Sequence, residues 1–587
     1  MALAFYCAWI LLSVSWSDAP ARALIDFNRA LLYLLVLVLL GSLPRKRAYL
    51  AWAVRGVALA MVAICAVALV TRLFPDAIDV APAVADKRLS YPLTYWNALG
   101  LMAAVGLVLC MHFTASEREP AILRVLGAGA VPVLATTLYF TFSRGGAGVA
   151  LLGLVVYAVV AHPRSLILGL MAAGPATVVA LMSAYDADLL AGAEPRSMAA
   201  AAQGEEVAVV VGVCIVAALA LRVLGLVVDA RLRRIPVSTT TRKRAATAAA
   251  AAAVVLALVA VVGLEAPAKV ADQVEGFTEP GFASSPEDRR GRLTDVRNNG
   301  RIEQWRVALE AFDQAPIRGD GAGKFAHRWA RDRDNDLKVE DAHSVYLESL
   351  AELGLVGGLL IVVTLAMILG AFAARARGEQ RHLYAALLGV ALAWAVHAGV
   401  DWDWEMPAVT LWLFALGGMA LAVDRERAPA WAPPRLTRVV AALACLALLV
   451  PAGGMALSQL HLNRSVEGLK SGDCEGAVHS ALASTRAMPV RPEPFEVLGF
   501  CDVRLGNADL GVQMLEAAIK REPDSWVLHY GLALVRGTAG RDPRPAARRA
   551  LELNPLEPLA RNAVKIFRTN DPQKWRRRAF TARLPIL

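Results

Sequence analysis

The chain has 587 residues, of which 57% are hydrophobic, and its mean hydropathy is positive at +0.48. Soluble globular domains are about 45–50% apolar, so this composition excludes an ordinary water-soluble protein and favours a membrane protein. The net charge of +10 does not indicate nucleic-acid binding, because most Lys and Arg residues lie in short segments between apolar runs, where they set membrane orientation.

Apolar runs long enough to cross a membrane recur along most of the chain. A run of about 18 or more apolar residues with few charges is typical of a spanning helix. We count about thirteen, of which the first two are short and the ninth is weakly hydrophobic, and we predict an all-α membrane bundle of about 12–13 spans. The runs are roughly 1–16, 29–43, 49–74, 97–115, 121–142, 145–161, 165–185, 206–227, 244–264, 354–375, 383–400, 406–423 and 436–457.

The distribution of Lys and Arg predicts the orientation of the bundle. With the N-terminus in the cytoplasm, the inner loops hold basic clusters such as Arg45-Lys46-Arg47, and the outer loops are poor in cations, as the positive-inside rule requires. The predicted domains are the first part of the bundle (1–264), an outer loop with amphipathic helices (265–353), the last spans (354–457) and an extracytoplasmic helical-repeat domain (458–587).

A bare arginine separates two apolar runs in "TLYFTFSRGGAG", residues 137–148. Arg144 lies at the outer end of its span, where it does not serve the topology. It either snorkels to the outer headgroups or is placed to bind phosphate, for which a guanidinium offers a rigid fork of donors. Gly145 and Gly146 would let the backbone turn tightly and hold Arg144 at a fixed depth, which favours the second interpretation.

Other arginines accompany the spans. Arg72 and Arg88 lie near the outer side and are weaker companions of Arg144. Arg88 belongs to "DKRLSYPLTYWNALG", whose aromatic residues are typical of a membrane interface. Near the inner ends lie Arg55, Arg124 and Arg222, which we expect to snorkel to the cytoplasm.

The outer loop contains two predicted amphipathic helices. The first follows Gly300, is about 12–14 residues long and has Arg301 in its first turn. A Gly-rich turn, "PIRGDGAGKF", ends it and lacks the spacing of a P-loop. The second, 342–358, runs into the tenth span with His343 at its start, where the helix dipole favours the neutral imidazole that a general base requires. A purely structural role for this histidine is the alternative. The apolar positions of the first helix are Ile302, Trp305, Ala308, Leu309 and Phe312.

A second outer segment is "HAGVDWDWEMP", residues 397–407. His397 and Asp401 are four residues apart, which predicts that they share one helix face. Trp402 and Trp404 could stack on sugar rings. The alternative is an interfacial loop that caps a helix.

The sequence from residue 458 onward predicts two or three helical repeats. Pro523 and Pro555 are 32 residues apart, close to the tetratricopeptide period. We expect this domain to bind a protein partner or the glycan chain, or to stabilise the last span. Cys474 and Cys501 would lie in an oxidising compartment, where a disulfide between them is expected.

Three motifs in this order resemble the O-antigen ligase/polymerase family over roughly residues 90–425. They are "SRGG" after a span, "GR…QW…A…P…G.G.G.F", and "AHS.YL…L.E.GL.GG" before another span. The family often has Asn after the histidine, and this chain has Ser344. The resemblance implies a GT-C-like helical bundle in the bacterial cytoplasmic membrane. It also implies transfer of a glycan from an undecaprenyl-pyrophosphate carrier, on the outer face, to a lipid, glycan or protein acceptor, with no required metal or cofactor.

The resemblance also implies roles for individual residues. Arg144 and Arg301 would bind the pyrophosphate, and His343 would activate the acceptor hydroxyl. A direct displacement at the anomeric carbon would invert the sugar's configuration. The remaining expected contacts to pyrophosphate or glycan are Arg72, Arg88, Gln304, Tyr346, Asp401 and Trp402.

Two other classes of function compete with a transferase. A transporter of anions or glycolipids would place polar groups near the bilayer midplane, whereas the polar residues here gather at the outer face. A membrane-anchored repeat scaffold would not need thirteen spans. Whether a transferase of this kind acts as ligase or polymerase stays open. The expected partners are the lipid-linked donor, the acceptor, membrane lipids and a protein bound by the C-terminal repeats.

Overall fold

A computed structural model describes residues 1–43, 47–85, 88–232, 288–295, 297–422 and 435–585, with isolated positions between 238 and 255. In these ranges the regular secondary structure is entirely helical, as the hydropathy predicted. The ninth predicted span, 244–264, and most of the polar stretch after it lie outside the described residues. Two compact units are present. Unit 1 comprises Met1–Leu34, Glu303–Thr364 and Ala428–Leu587, and unit 2 comprises Leu35–Ile302 and Leu365–Arg427.

Eight of the described helices are long and apolar enough to cross a membrane, and each coincides with a predicted run. The runs at 1–16, 383–400 and 406–423 form helices shorter than 18 residues, and the run at 436–457 begins a helix of 37 residues. The described helices of eight or more residues up to residue 471 are α1 (Ala2–Ser13), α2 (Pro20–Gly41), α3 (Arg47–Leu73), α4 (Trp96–Ala115), α5 (Ala121–Thr141), α6 (Arg144–Ala161), α7 (Leu166–Asp186), α8 (Met198–Leu232), α9 (Arg301–Gln314), α10 (Phe325–Asp332), α11 (Val345–Arg375), α12 (Arg381–His397), α13 (Pro407–Leu421) and α14 (Arg435–Ser471).

Helix α4 forms the centre of unit 2. All of its residues from Ala98 to Ala115 are buried, and it packs against α3, α5, α6 and α12. Helices α6 and α12 approach each other closely at two glycines, because a Cβ added to Gly389 would lie only 2.7 Å from the carbonyl oxygen of Gly153. Small residues allow such close contact between membrane helices. This packing brings the segments around the start of α6 and the end of α12 together.

Two of the three arginines that were predicted to snorkel at the inner ends of the spans are instead buried. Arg124 and Arg222 are both buried and both pair with the buried carboxylate of Asp229 on α8. Arg222 also donates to the carbonyl oxygen of Thr114, at 2.8 Å. A buried guanidinium needs a compensating charge and hydrogen bonds, and Asp229, which is 105 residues from Arg124 in sequence, supplies the charge for both.

In unit 1 the outer loop forms a small packed subdomain. Helix α9 has the predicted length of 14 residues, but a different face is buried: Val307, Ala308 and Ala311 pack into a core with Phe325 and Trp329, whereas Leu309 is 45% exposed. The buried face of α9 is therefore displaced by one residue toward the N-terminus from the predicted apolar positions, 302, 305, 308, 309 and 312. The second amphipathic helix runs into the tenth span as predicted, since both belong to α11, which has an unpredicted kink at Gly354, where φ is 64°.

The Gly-rich turn 316–325 wraps a carboxylate from its own chain. The backbone N–H of Gly323 donates to Glu352 Oε2 at 2.9 Å, and that of Phe325 donates to Oε1 at 2.8 Å. Gly321 has a φ of 107°, and a Cβ there would lie 2.6 Å from Ser17. The glycines therefore let the turn pass between α11 and the connection from α1 to α2.

The C-terminal domain follows α14 and consists of seven consecutive short helices around one hydrophobic core. Pro523 and Pro555 both lie in turns between helices, as a repeat would place them. Cys474 and Cys501 are buried free thiols that lie within hydrogen-bonding range, so the predicted disulfide is not formed in the structure. The helices are α15 (Cys474–Ala487), α16 (Glu493–Arg504), α17 (Ala508–Ile519), α18 (Trp526–Thr538), α19 (Arg544–Leu553), α20 (Pro558–Ile566) and α21 (Pro572–Phe580).

Candidate functional site

Arg144 is the first residue of α6, in unit 2. The chain turns between α5 and α6 at Phe142, which adopts a left-handed conformation with φ 47°, and Ser143 caps α6 by accepting a hydrogen bond from the N–H of Gly146 at 3.1 Å. The guanidinium of Arg144 donates to the carbonyl oxygen of Arg297 at 3.0 Å. Arg144 therefore lies at a helix N-terminus, where the helix dipole favours anions.

The two glycines after Arg144 do not make the turn, contrary to the sequence interpretation. Both lie in the first turn of α6, where their lack of a side chain permits close packing. A Cβ on Gly145 would lie 3.2 Å from Nε2 of His397, and one on Gly146 would lie 3.0 Å from the backbone of Gly100. The motif thus sets how closely α6 approaches α4 and α12.

Asp401 is a buried carboxylate on which four donors converge. It accepts hydrogen bonds from the hydroxyl of Tyr95 at 2.6 Å, from Asn97 Nδ2 at 2.7 Å, from the guanidinium of Arg301 at 2.8 Å and from the N–H of Trp402 at 3.0 Å. Because these donors come from three separate parts of unit 2, Asp401 fixes Arg301 relative to the start of α4. Sequence reasoning missed Asn97, which carries no signal of its own in a single sequence.

Arg88 is buried against the turn that precedes Arg144. It donates to the carbonyl oxygens of Thr141 and Phe142, both at 2.6 Å, and its guanidinium lies 4.8 Å from the ring centroid of Trp96. Burial, and next the like charge of Arg292, lower its pKa to about 9. Arg88 therefore supports the turn. Arg72 lies in the last turn of α3, and its guanidinium is 3.5 Å from the carbonyl oxygen of Leu190.

An arginine-rich segment, Asp288–Asp295, is held on unit 2 ahead of Arg301. The N–H of Arg289 donates to the carbonyl oxygen of Ala191 at 3.1 Å, and Arg290 donates to that of Tyr185 at 2.9 Å. Arg292, in the same segment, is partly buried and lies within electrostatic range of Arg144. In the sequence this segment is visible only as the arginines of "DRRGRLTDVRNNGR", which is polar and has no helical or strand periodicity.

Some of these guanidiniums are neutralised and others are not. Arg290 pairs with Asp288, Arg297 with Asp295 and Arg301 with Asp401. Within the described ranges, no carboxylate forms an ion pair with Arg88, Arg144 or Arg292. This part of unit 2 therefore holds excess positive charge, which favours an anionic ligand.

His397 and Asp401 do not share a helix face as predicted. Helix α12 ends at His397, and the chain then turns, so that Nδ1 of His397 bonds instead to Asp403 Oδ2 at 2.6 Å. Both residues of this pair are about 1% exposed. The tryptophans also differ: Trp404 is buried against Phe414, whereas Trp402 is partly exposed and lies against Tyr95, with ring centroids 4.7 Å apart and planes tilted by 43°.

His343 lies in unit 1, two residues before α11, rather than inside the helix as predicted. Its backbone is left-handed, with φ 49°, a conformation that costs energy outside glycine and is concentrated at functional sites. Nδ1 lies 2.9 Å from Asp341 Oδ1. A carboxylate at Nδ1 orients an imidazole and stabilises the cation formed when Nε2 takes a proton.

The two remaining predicted contacts also lie in unit 1. Gln304 is 1% exposed, on the inner face of α9, so contact with a substrate would require its neighbours to move. Tyr346, in the first turn of α11, is partly buried. Among the described residues, no three His, Cys, Asp or Glu side chains are grouped in a way that could hold a metal ion.

The family model of O-antigen ligase matches residues 198–362, a segment that includes Arg292, Arg301 and His343 but not Arg144. No curated protein matches the chain. This segment of the chain is therefore similar to the O-antigen ligase family.

Proposed function

We propose that this protein transfers a glycan from an undecaprenyl-diphosphate carrier to an acceptor hydroxyl, on the outer face of the bacterial cytoplasmic membrane. The observation that carries the proposal is the excess of guanidinium groups in unit 2. Around Arg144, two described carboxylates, Asp295 and Asp401, oppose five guanidiniums, which leaves three positive charges; the guanidiniums are those of Arg88, Arg144, Arg292, Arg297 and Arg301. Such a site suits a diphosphate group, whose oxygens guanidiniums bind in preference to other anions.

In this proposal the arginines stabilise the leaving group. As the bond between the anomeric carbon and the phosphate oxygen breaks, negative charge grows on the diphosphate. Donors already fixed in position stabilise that charge without reorganisation. Arg301 is held by Asp401 and Val400, and Arg144 by Arg297, so both are preorganised. The positive end of the α6 dipole adds to the effect at Arg144. Because guanidiniums supply the charge, the proposed reaction needs neither a metal ion nor another cofactor.

The acceptor side of the reaction is assigned to unit 1. We propose that His343 takes the proton of the acceptor hydroxyl while its oxygen forms the new bond to the anomeric carbon, with inversion of configuration. Asp341 would stabilise the resulting imidazolium, as the second member of a base–carboxylate pair. The acceptor class stays open between a lipid, a glycan and a protein.

Contacts within unit 1 support the proposed orientation. The connection between α1 and α2 contacts the outer loop, since Ser17 donates to the carbonyl oxygen of Ala322 at 3.0 Å. The C-terminal domain contacts the same loop, through Lys324 and Asp524. All three segments belong outside the cytoplasm under the positive-inside rule, so their contacts agree with that topology.

Arg292→Ala is expected to weaken binding of the lipid-linked donor and to reduce transfer by about tenfold, because one of three unneutralised guanidiniums is lost. The measurement is the initial rate against donor concentration, for purified protein in nanodiscs. Arg306→Ala is the control, since that arginine is 40% exposed and is already paired with Glu310. Equal losses in both variants would contradict a specific role for Arg292.

Gly145→Ala is expected to lower transfer by about tenfold to a hundredfold, since small displacements of a positioned group cost this much. The added Cβ would lie 3.2 Å from Nε2 and 3.3 Å from Cδ2 of His397; because His397 is buried and paired with Asp403, we expect the start of α6, with Arg144, to shift. Gly148→Ala on the same helix meets nothing within 4 Å and should retain the full rate. A fully active Gly145→Ala variant would show that Arg144 tolerates movement.

The experiment that tests the proposed function is transfer by the reconstituted protein. Purified protein in nanodiscs receives the host's undecaprenyl-diphosphate glycan and acceptor lipids, and the products are resolved by gel and mass spectrometry. A ladder of longer lipid-linked chains would identify a polymerase, and a single shift of a distinct acceptor would identify a ligase. Movement of glycolipid across a liposome membrane without a new glycosidic bond would support a transporter instead.

A further inference from the structure

The C-terminal domain contacts the outer loop through a row of polar pairs within unit 1. Nζ of Lys324 lies 3.2 Å from Asp524 Oδ2, and Nε2 of His327 lies 2.7 Å from Glu522 Oε1. Further along the loop, the guanidinium of Arg333 donates to Asn554 at 3.0 Å, and Lys338 pairs with Glu557 at 2.8 Å. In all four pairs the loop provides the basic or donor group and the domain provides the acidic or acceptor group.

Most members of these pairs are buried; the exceptions are Lys338, whose side chain is 66% exposed, and Asp524, whose side chain is 26% exposed. On the domain side Glu522, Asn554 and Glu557 are at most 6% exposed, and on the loop side His327 and Arg333 are at most 9% exposed. Exposed ion pairs contribute little, but the loss of one member of a buried pair leaves the other charge without compensation. The domain and the loop therefore depend on each other.

The N-terminal segment closes the same cluster from a third side. Nε of Arg22, on α2, lies 3.3 Å from Oε1 of Glu522. Oδ2 of Asp18 lies 2.5 Å from Nζ of Lys324. Burial alone would raise the pKa of Glu522, but His327 and Arg22 lower it below the usual range. Glu522 is thus ionised at neutral pH and links two segments that are far apart in sequence.

A short path of packing leads from these pairs to His343. Lys324 caps α10, which carries both His327 and the buried Trp329. Trp329 belongs to the same small core as Ala342, the residue before His343. This core has only seven fully buried residues, and small cores provide little stability on their own.

We propose that the C-terminal domain is an internal brace for the outer loop, and that its binding partner is the basic segment 324–338 of its own chain. The brace holds α10, α10 holds Ala342, and Ala342 fixes the left-handed backbone of His343. The link to transfer rests on the proposed function of His343, whereas the link to loop stability does not. The sequence alone had favoured an external protein or glycan as the ligand of this domain.

The test removes the acidic side of the contact with little change of shape. Glu522→Gln and Asp524→Asn are combined in the full-length protein, because neither residue belongs to the domain's hydrophobic core. The control combines Glu516→Gln and Asp509→Asn, the same chemical changes at exposed residues that pair only with Arg536 and Arg541 of the same domain. Hydrogen exchange of peptides from 320–343 and from α15–α21 is measured by mass spectrometry in nanodiscs, beside the transfer rate.

We expect exchange in 320–343 to accelerate by at least about tenfold in the test variant, with unchanged exchange in α15–α21 and a loss of transfer of about tenfold. The control should match wild type in every readout. Unchanged exchange in 320–343 would overturn the brace, and faster exchange with full transfer would overturn its link to His343. If wild type itself transfers nothing, the proposed function fails, but the exchange result still decides whether the domain braces the loop.

Discussion

Arg144→Ala is expected to reduce glycan transfer by about 10²–10³-fold, the usual loss when one preorganised donor to a developing anion is removed. The guanidinium lies at the N-terminus of α6 and donates a hydrogen bond to the carbonyl oxygen of Arg297. Among the described residues, no carboxylate forms an ion pair with it, although Asp295 lies within electrostatic range. Arg144→Lys should recover only part of the rate, because an ammonium keeps the charge but not the fork of donors.

Initial rates in nanodiscs measure this effect, and Arg297→Ala provides the control. Its side chain is already paired with Asp295 and is 42% exposed, and the carbonyl oxygen that holds Arg144 remains after the substitution. The control should therefore stay within about threefold of wild type, as expected for an exposed pair. Full activity of Arg144→Ala would make this residue a snorkelling arginine after all.

His343→Ala is expected to reduce transfer by about 10²–10⁴-fold, the range for loss of a general base. The acid limb of the pH–rate profile should disappear with the side chain, because a base is inactive once it is protonated. Asp341→Asn should cause a smaller loss, since it leaves the imidazole in place but removes the carboxylate 2.9 Å from Nδ1.

Two other histidines make this prediction discriminating. His479→Ala changes an exposed residue of α15 and should leave the rate unchanged. His397→Ala removes another imidazole whose Nδ1 is paired with a carboxylate, that of Asp403. If His343→Ala retains its rate and His397→Ala loses it together with the acid limb, the base must be assigned to His397.

Hydropathy and periodicity predicted the helices well, because burial in lipid and in a protein core both leave a regular apolar pattern. The length of α9 was predicted, since an amphipathic segment has a recognisable pattern, whereas the kink of α11 at Gly354 was not. The buried face of α9 was not predicted correctly. It depends on Phe325 and Trp329, which a later segment brings against it.

Features of the candidate site that depend on long-range contacts could not be predicted. Asp401 receives donors from residues about 300 positions earlier in sequence, and no local pattern signals such a meeting. The glycines after Arg144 were assigned to a turn, although their reason is the approach of His397 and Gly100. The burial of Arg124 could not be predicted either, because its partner Asp229 lies on another helix that is distant in sequence.

The central claim is that the chain breaks the bond between glycan and lipid diphosphate only when it forms a new glycosidic bond. The most direct measurement compares the undecaprenyl diphosphate released with the glycosidic bonds formed, for wild type and Arg144→Ala in nanodiscs. For wild type, the amount of undecaprenyl diphosphate released should equal the amount of new glycosidic bonds. For the variant, almost none of either is expected. Release without a new bond, or no release from native donor and acceptor, would contradict the claim.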